Sequence, residues 1–289
     1  MMSIQRIDTL PHLPARPADG HKGTFGKVLI VAGSRGMSGA AALSGLGALR
    51  GGAGLVYLAV PESILTIVAG MEPAWLTVPL STDRDGSLSE AALGELWAAI
   101  DGKEVCAIGP GLGRHGITET LVTSVYEDAE LPLVVDADAL NCLAETPELL
   151  GRHAGSRVLT PHPGEFARLT GTDIADVQNR REELAIHFAQ KHRVVLVLKG
   201  QHTLVTDGKC LYINQTGNSG MATGGTGDVL TGLLAALLGQ HLAPFEAAQL
   251  AVFLHGRAGD LVAAELSEPA LISSDLPRYL GKAWLSVRE

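Results

Sequence analysis

Aromatic residues make up only 4% of the 289-residue chain. Its core must therefore be built mainly from Ala, Val, Leu and Ile. Basic residues are also scarce: 22 Lys plus Arg against 31 Asp plus Glu leave a formal charge of −9. That balance works against the phosphate attraction on which nucleic-acid binders rely, so nucleic acid is not an expected partner and any anionic ligand must be gripped locally. Cysteine is limited to Cys106, Cys142 and Cys210. An odd number, far apart and without CxxC spacing, offers no disulfide framework and no thiolate metal site, which fits a reducing, cytoplasmic setting. Long apolar runs are missing too. The richest late stretch, Val229 to Leu238, is too short to span a bilayer, so no membrane role is expected. The stretch Met1 to Gly23 is interrupted by Pro11, Pro14 and Pro17 and lacks the apolar segment of a secretion signal. What the chain does have is 46% hydrophobic residues and 35 glycines, enough for a large core joined by many tight turns.

The apolar run Lys27 to Ala32, ended by glycines, has the pattern of a strand buried on both faces. Small residues from Ser38 to Leu49 predict a helix, which Gly51 to Gly54 breaks before a second strand at Leu55 to Val60. Further buried strands are expected at 105–108, 133–136, 157–159 and 194–199, with helices at 89–100, 118–128 and 176–192 between them. The alternation predicts an α/β fold on a mostly parallel sheet. Asp207-Gly208 between two short apolar runs predicts an antiparallel hairpin at one edge. Helices are expected over 226–238 and 244–266, with a short C-terminal segment from Leu276. No repeat or long linker divides the chain, so residues 1–289 are read as one domain, with 1–20 as an N-terminal extension or a first helix.

Two glycine-rich turns stand out. Gly33-Ser-Arg-Gly36-Met-Ser-Gly39 opens a helix after the first strand, but its GxxGxxG spacing is one residue longer than the dinucleotide fingerprint, and Glu62 sits just beyond Pro61. A ligand turn and a plain tight turn both fit it. The second, Ala222-Thr-Gly-Gly-Thr-Gly-Asp228, runs into an apolar helix. Gly224, Gly225, Thr226 and Gly227 there would let backbone amides at a helix start approach an oxyanion closely. Asp228 follows in the first helical turn. A carboxylate placed there either caps the helix or takes a proton from a hydroxyl that attacks a bound phosphate. No GxxxxGK[ST] occurs, which excludes a P-loop NTPase.

The Ala222–Asp228 run resembles the GxGD signature of the ribokinase-like superfamily, whose fold is a three-layer α/β sandwich. His21 to Lys27, Ser38 to Ala41, Gly109-Pro-Gly-Leu-Gly113, Thr160-Pro-His-Pro-Gly-Glu165, Lys199-Gly-Gln-His-Thr203 and the GTGD run together resemble, in order, the motif set of ADP- or ATP-dependent NAD(P)H-hydrate dehydratases. The resemblance covers nearly the whole chain. It implies that Lys199, Gly200, Gln201, His202, Thr203 and Gly227 bind the AMP portion of the nucleotide. Ala40 or Ala41, Gly111 or Gly113, His162 and Asp228 would meet the hydrated nicotinamide substrate. Asp228 would be the catalytic base. Glu165 would help hold Mg²⁺ through water, with Asp136 and Asp138 as competitors that could equally cap the helix containing Asn141.

The resemblance further implies a hydro-lyase that returns the S epimer of hydrated NADH or NADPH to NAD(P)H through a phosphorylated intermediate, releasing phosphate and AMP or ADP. It suggests a homotetramer and a separate epimerase acting on the same substrate, because some members carry a fused N-terminal epimerase domain and only about twenty residues precede the first motif here. The alternatives are a ribokinase-like kinase of a small alcohol, a nucleotide sensor in which Asp228 is only a cap, and an NAD-linked oxidoreductase. TPHPGE and the absence of a paired-glycine sugar signature count against the kinase.

Overall fold

The computed structural model describes residues 4–13 and 15–287. Its elements in chain order begin with β1 (Gln5–Ile7), β2 (Lys27–Val31), α1 (Ser38–Arg50), β3 (Leu55–Pro61), α2 (Leu65–Ala69), β4 (Leu76–Leu80), α3 (Ala91–Ile100), β5 (Val105–Ile108) and α4 (Thr118–Asp128). There follow β6 (Leu133–Val135), α5 (Asp138–Glu145), β7 (Arg157–Leu159), α6 (Pro163–Thr170), α7 (Ile174–Asn179), α8 (Arg181–His192), β8 (Val195–Leu198) and β9 (Leu204–Thr206). The last are β10 (Cys210–Ile213), α9 (Thr226–Gly239), α10 (Pro244–Leu266) and α11 (Leu276–Leu285).

The strands form one sheet in the order β1-β10-β9-β8-β7-β6-β5-β2-β3-β4. Neighbours pair in parallel except β9, which runs antiparallel to β8 and β10. The central strands are short and apolar because helices cover both faces, so neither side chain of the pleat meets water. One helix layer packs through Val229, Leu233, Leu250 and Leu254, the other through Leu96, Leu121, Leu140, Phe166 and Phe188. This is the expected three-layer sandwich with an antiparallel edge.

Two expectations need correction, and one strand is not expected at all. The N-terminal segment carries a strand, β1, pairing with β10 from Gln5↔Cys210 to Ile7↔Tyr212, and no α-helix among its described residues; residues 1–3 and 14 lie outside them. The helix expected over 176–192 is two helices. Arg180 leaves helical geometry at φ −127° and ψ 33°, and its guanidinium bridges Asp176 at 3.3 Å and Glu183 at 2.6 Å across the break. β4 is an additional strand. Its Pro79 reads against a strand, yet β4 lies at the sheet edge, where a missing ladder donor is tolerated.

α1 and α9 run parallel in contact. A Cβ on Gly232 would overlap the Ser44 carbonyl, and one on Gly47 would overlap that of Val229. Only glycine allows this approach. It brings the N-termini of both helices to the end of the sheet where the parallel strands finish, the usual binding edge of α/β sheets.

Candidate active site

The loops after β2, β5, β6, β7 and β8 leave the sheet at this common edge. Asp136, directly after β6, is 1% exposed. Its Oδ1 accepts a hydrogen bond from Lys199 Nζ at 2.8 Å, and its Oδ2 accepts one from Thr231 Oγ1 of α9 at 2.7 Å. Lys199 Nζ also lies 3.9 Å from Glu165 Oε2. Burial alone would depress the Lys199 ammonium, but the two carboxylates outweigh it and hold its pKa above the ordinary value.

α9 starts with Gly225 in the left-handed region (φ 91°) and without a side-chain cap. Its first amides therefore remain available to an anion, as the helix dipole favours. A Cβ on Gly227 would stand 3.4 Å from Lys199 Nζ and 3.8 Å from Asp136 Oδ2, so the anion turn and the ion pair face each other. Gly224 opens on free space, whereas Gly225 packs toward Leu43 and Ser273 and serves the shape of the turn. Thr226 Oγ1 ties the turn to the Met221 and Thr223 carbonyls, at 3.1 Å each. Asp228, one residue past Gly227, is half-buried. Burial, then the Asp136 carboxylate, pushes its pKa up to about 7; Asp138 adds to this and Lys199 opposes it.

A cavity of about 550 Å³ adjoins this cluster. Lys199, Gly200, Gln201, His202 and Thr203 form one wall and Thr226 and Gly227 another; Asn214 to Ser219, Met221, Val252 and His255 complete it. The expected nucleotide residues are thus brought together, although the Lys199 ammonium turns toward the carboxylates. The loop 214–218 is pinned to α10: Asn214 Nδ2 donates to the Val252 carbonyl, and Asp260 accepts from Gly217 N and Asn218 Nδ2, each within 3.1 Å.

On the other side of Asp228's helix, Gly111 (φ 60°) faces α1. A Cβ there would stand 2.8 Å from Ala40 Cβ, which pairs these two expected residues. Ala41 is instead fully buried in the core against Gly33. Gly113 N donates to Asp138 Oδ2 at 2.8 Å.

His162 caps α6. Its Nδ1 accepts from the amides of Gly164 and Glu165, and Glu165 Oε2 accepts from His162 N at 2.8 Å. With Nδ1 so used, the neutral ring carries its proton on Nε2, and the side chain remains exposed. Burial lowers its pKa, with Glu165 opposing. His162→Ala should cost about 1 kcal/mol through the lost cap, measurable as a lower denaturation midpoint.

The carboxylates do not fit a direct metal chelate. Both oxygens of Asp136 are engaged, Glu165 spends Oε2 on the cap, and no cluster of three metal-ligating side chains occurs among the described residues. Glu165 is left with Oε1, which lies 3.4 Å from His162 Nε2. Neither Asp136 nor Asp138 caps α5 by its side chain, because the cap position is Ala137 and both carboxylates have other partners.

The sequence pattern of the NAD(P)H-hydrate dehydratase family matches residues 28–281. The chain belongs to this family. It is 38% identical over 279 residues to the ADP-dependent (S)-NAD(P)H-hydrate dehydratase of Bacillus subtilis, covering 94% of each chain. It is 47% identical over 270 residues to the bifunctional NAD(P)H-hydrate repair enzyme Nnr of Moorella thermoacetica, covering 93% of this chain and 51% of that one. The chain spans about half the length of the bifunctional relatives it matches. The solved structure of the Bacillus subtilis ADP/ATP-dependent NAD(P)H-hydrate dehydratase, co-crystallised with ATP/Mg²⁺, superposes with a TM-score of 0.81 at 34% identity, covering 95% of this chain and 94% of that one.

Two residues of the candidate site escape sequence reasoning. Thr231 holds Asp136; its signal is a lone hydroxyl three residues after Asp228 in an apolar helix. His255 Nε2 lies 2.9 Å from the Thr226 carbonyl, and burial lowers its pKa to about 4, so the neutral ring donates there. Its position in α10 offers no local signal.

Proposed function

We propose that this dehydratase-family chain restores hydrated NADH or NADPH to NAD(P)H, using ADP or ATP as phosphate donor. The observation that carries the reading is Asp228: a carboxylate with a pKa near 7 in the first turn of an uncapped helix, beside the Asp136–Lys199 pair. Ordinary carboxylates are weak bases at neutral pH, whereas one poised near the working pH abstracts a proton efficiently.

The hydrated ring carries a hydroxyl, and hydroxide is a poor leaving group. Asp228 takes the hydroxyl proton as that oxygen attacks the terminal phosphate of the nucleotide in the cavity. The amides at the start of α9 and the Lys199 ammonium balance the developing charge. The C–O bond then breaks with phosphate as leaving group, driven by the ring nitrogen's lone pair, and loss of a ring proton restores the double bond. Net products are NAD(P)H, phosphate and AMP or ADP. Ala40, Gly111 and His162 line the substrate side. The reading includes a cytoplasmic homotetramer and an epimerase partner; the bifunctional relatives, about twice this length, support a second activity beside this one.

The reading predicts a specific pH dependence. The base must be ionised, so kcat/KM for hydrated NADH should fall tenfold per pH unit below about 7 and level off above it. Initial rates across pH with saturating ADP test this. A profile flat down to about pH 5 would remove Asp228 as the base.

A further inference from the structure

Ala137, between the two site carboxylates, has φ 51° and ψ −119°. This is the first central position of a type II′ turn, closed by Ala139 N donating to the Asp136 carbonyl at 3.1 Å. Glycine ordinarily occupies that position; a side chain there is strained. The turn is held from both sides. Asp136 N donates to Ile108 O of β5, and Gly109 packs so closely on the Asp136 carbonyl that any Cβ would overlap it. The flanking carboxylates then diverge. Asp136 reaches Lys199 and Thr231 on the nucleotide side, and Asp138 reaches Gly113 N on the substrate side.

We propose that the Asp136–Ala137–Asp138 turn is a positioning device, kept strained at Ala137, that registers the nucleotide wall against the substrate wall. This rests on the dehydratase reading. Glycine at 137 would adopt the same turn with less strain, but its broad backbone basin would let the two peptide planes rock. Both carboxylates would then aim less sharply. Alanine costs stability and holds a single geometry, a trade that makes sense where a misplacement of an ångström is expensive in rate.

Ala137→Gly separates this role from a merely structural one, because relief of unneeded strain would raise stability and leave function untouched. The test compares the full-length wild type, Ala137→Gly and a control, His241→Gly. His241 is a left-handed residue (φ 67°) at the far end of α9. Calorimetric melting, ADP titration and turnover of hydrated NADH are measured for each. For Ala137→Gly the melting temperature should rise by about 2–4 °C. Its turnover should drop about tenfold and its ADP affinity weaken several-fold. His241→Gly should change stability alone. Wild-type turnover and ADP affinity in Ala137→Gly, or a lowered melting temperature, would overturn the proposal. If the wild type itself forms no NADH, the dehydratase reading fails, and the ADP titration with the melting temperature decides the turn by itself.

Discussion

Replacing Asp228 by asparagine should cut turnover by about 10²-fold or more while leaving ADP affinity within about threefold. Asparagine keeps the shape of the first turn of α9 but cannot accept the hydroxyl proton, so the loss falls on the chemical step. The same variant should be more stable than wild type. With a folded pKa of about 7 against an ordinary 3.8, the native state binds more protons than the unfolded chain between those pH values. Stability therefore falls as pH rises through that window, and the full cost is present above pH 7. Asparagine removes the buried charge. The expected gain is about 2–4 kcal/mol at about pH 8, fading toward about pH 4, read from denaturation midpoints at the two pH values. A gain that does not depend on pH, or a loss, would contradict the placement of a disfavoured charge at Asp228.

Adding one methyl at Gly232 should be the most damaging small change in the scaffold. The new Cβ would overlap the Ser44 carbonyl, which is backbone and has no rotamer to escape through. α1 and α9 would have to separate, and with them the turn carrying Gly227 and Asp228. Gly232→Ala should cost about 3 kcal/mol or more, at the upper end of overpacking. Melting would fall by about 6 °C or more, with activity lost in the fraction that folds. Gly94→Ala is the natural contrast. Nothing lies within 4 Å of a Cβ at that helical position, so alanine should stabilise by about 0.5–1 kcal/mol. Equal effects in the two variants would refute the close contact between α1 and α9.

The central sheet is legible in the sequence because β2, β5 and β8 are buried on both faces and read as unbroken apolar runs. β1 and β4 are not, since edge strands are short, half-exposed or interrupted by proline. Arg180 escapes for a related reason: the stretch around it is polar, and the break shows in backbone angles and ion pairs rather than in apolar spacing. The site divides in the same way. Gly227, Asp228, Lys199 and His162 stand in motifs, and the topology gathers those motifs because parallel strands end on one edge. The choice between Ala40 and Ala41 needs the helix phase, which buries Ala41. Asp136 stands out as an acid at a strand end. That it clamps Lys199 and Thr231 rather than capping α5 depends on contacts 63 and 95 residues apart, which no local pattern carries. The strain at Ala137 is likewise invisible to composition, since glycine is the residue expected there and an alanine carries no turn signal.

The most direct test of the dehydratase reading is to incubate the protein with acid-hydrated NADH, Mg²⁺ and ADP or ATP. NADH absorbance is followed together with released phosphate. The account predicts a nucleotide-dependent return of NADH, with one phosphate and one AMP or ADP formed per NADH, and none of it without nucleotide. Nucleotide that binds without restoring NADH, or that leaves a stable phosphorylated product, would contradict it.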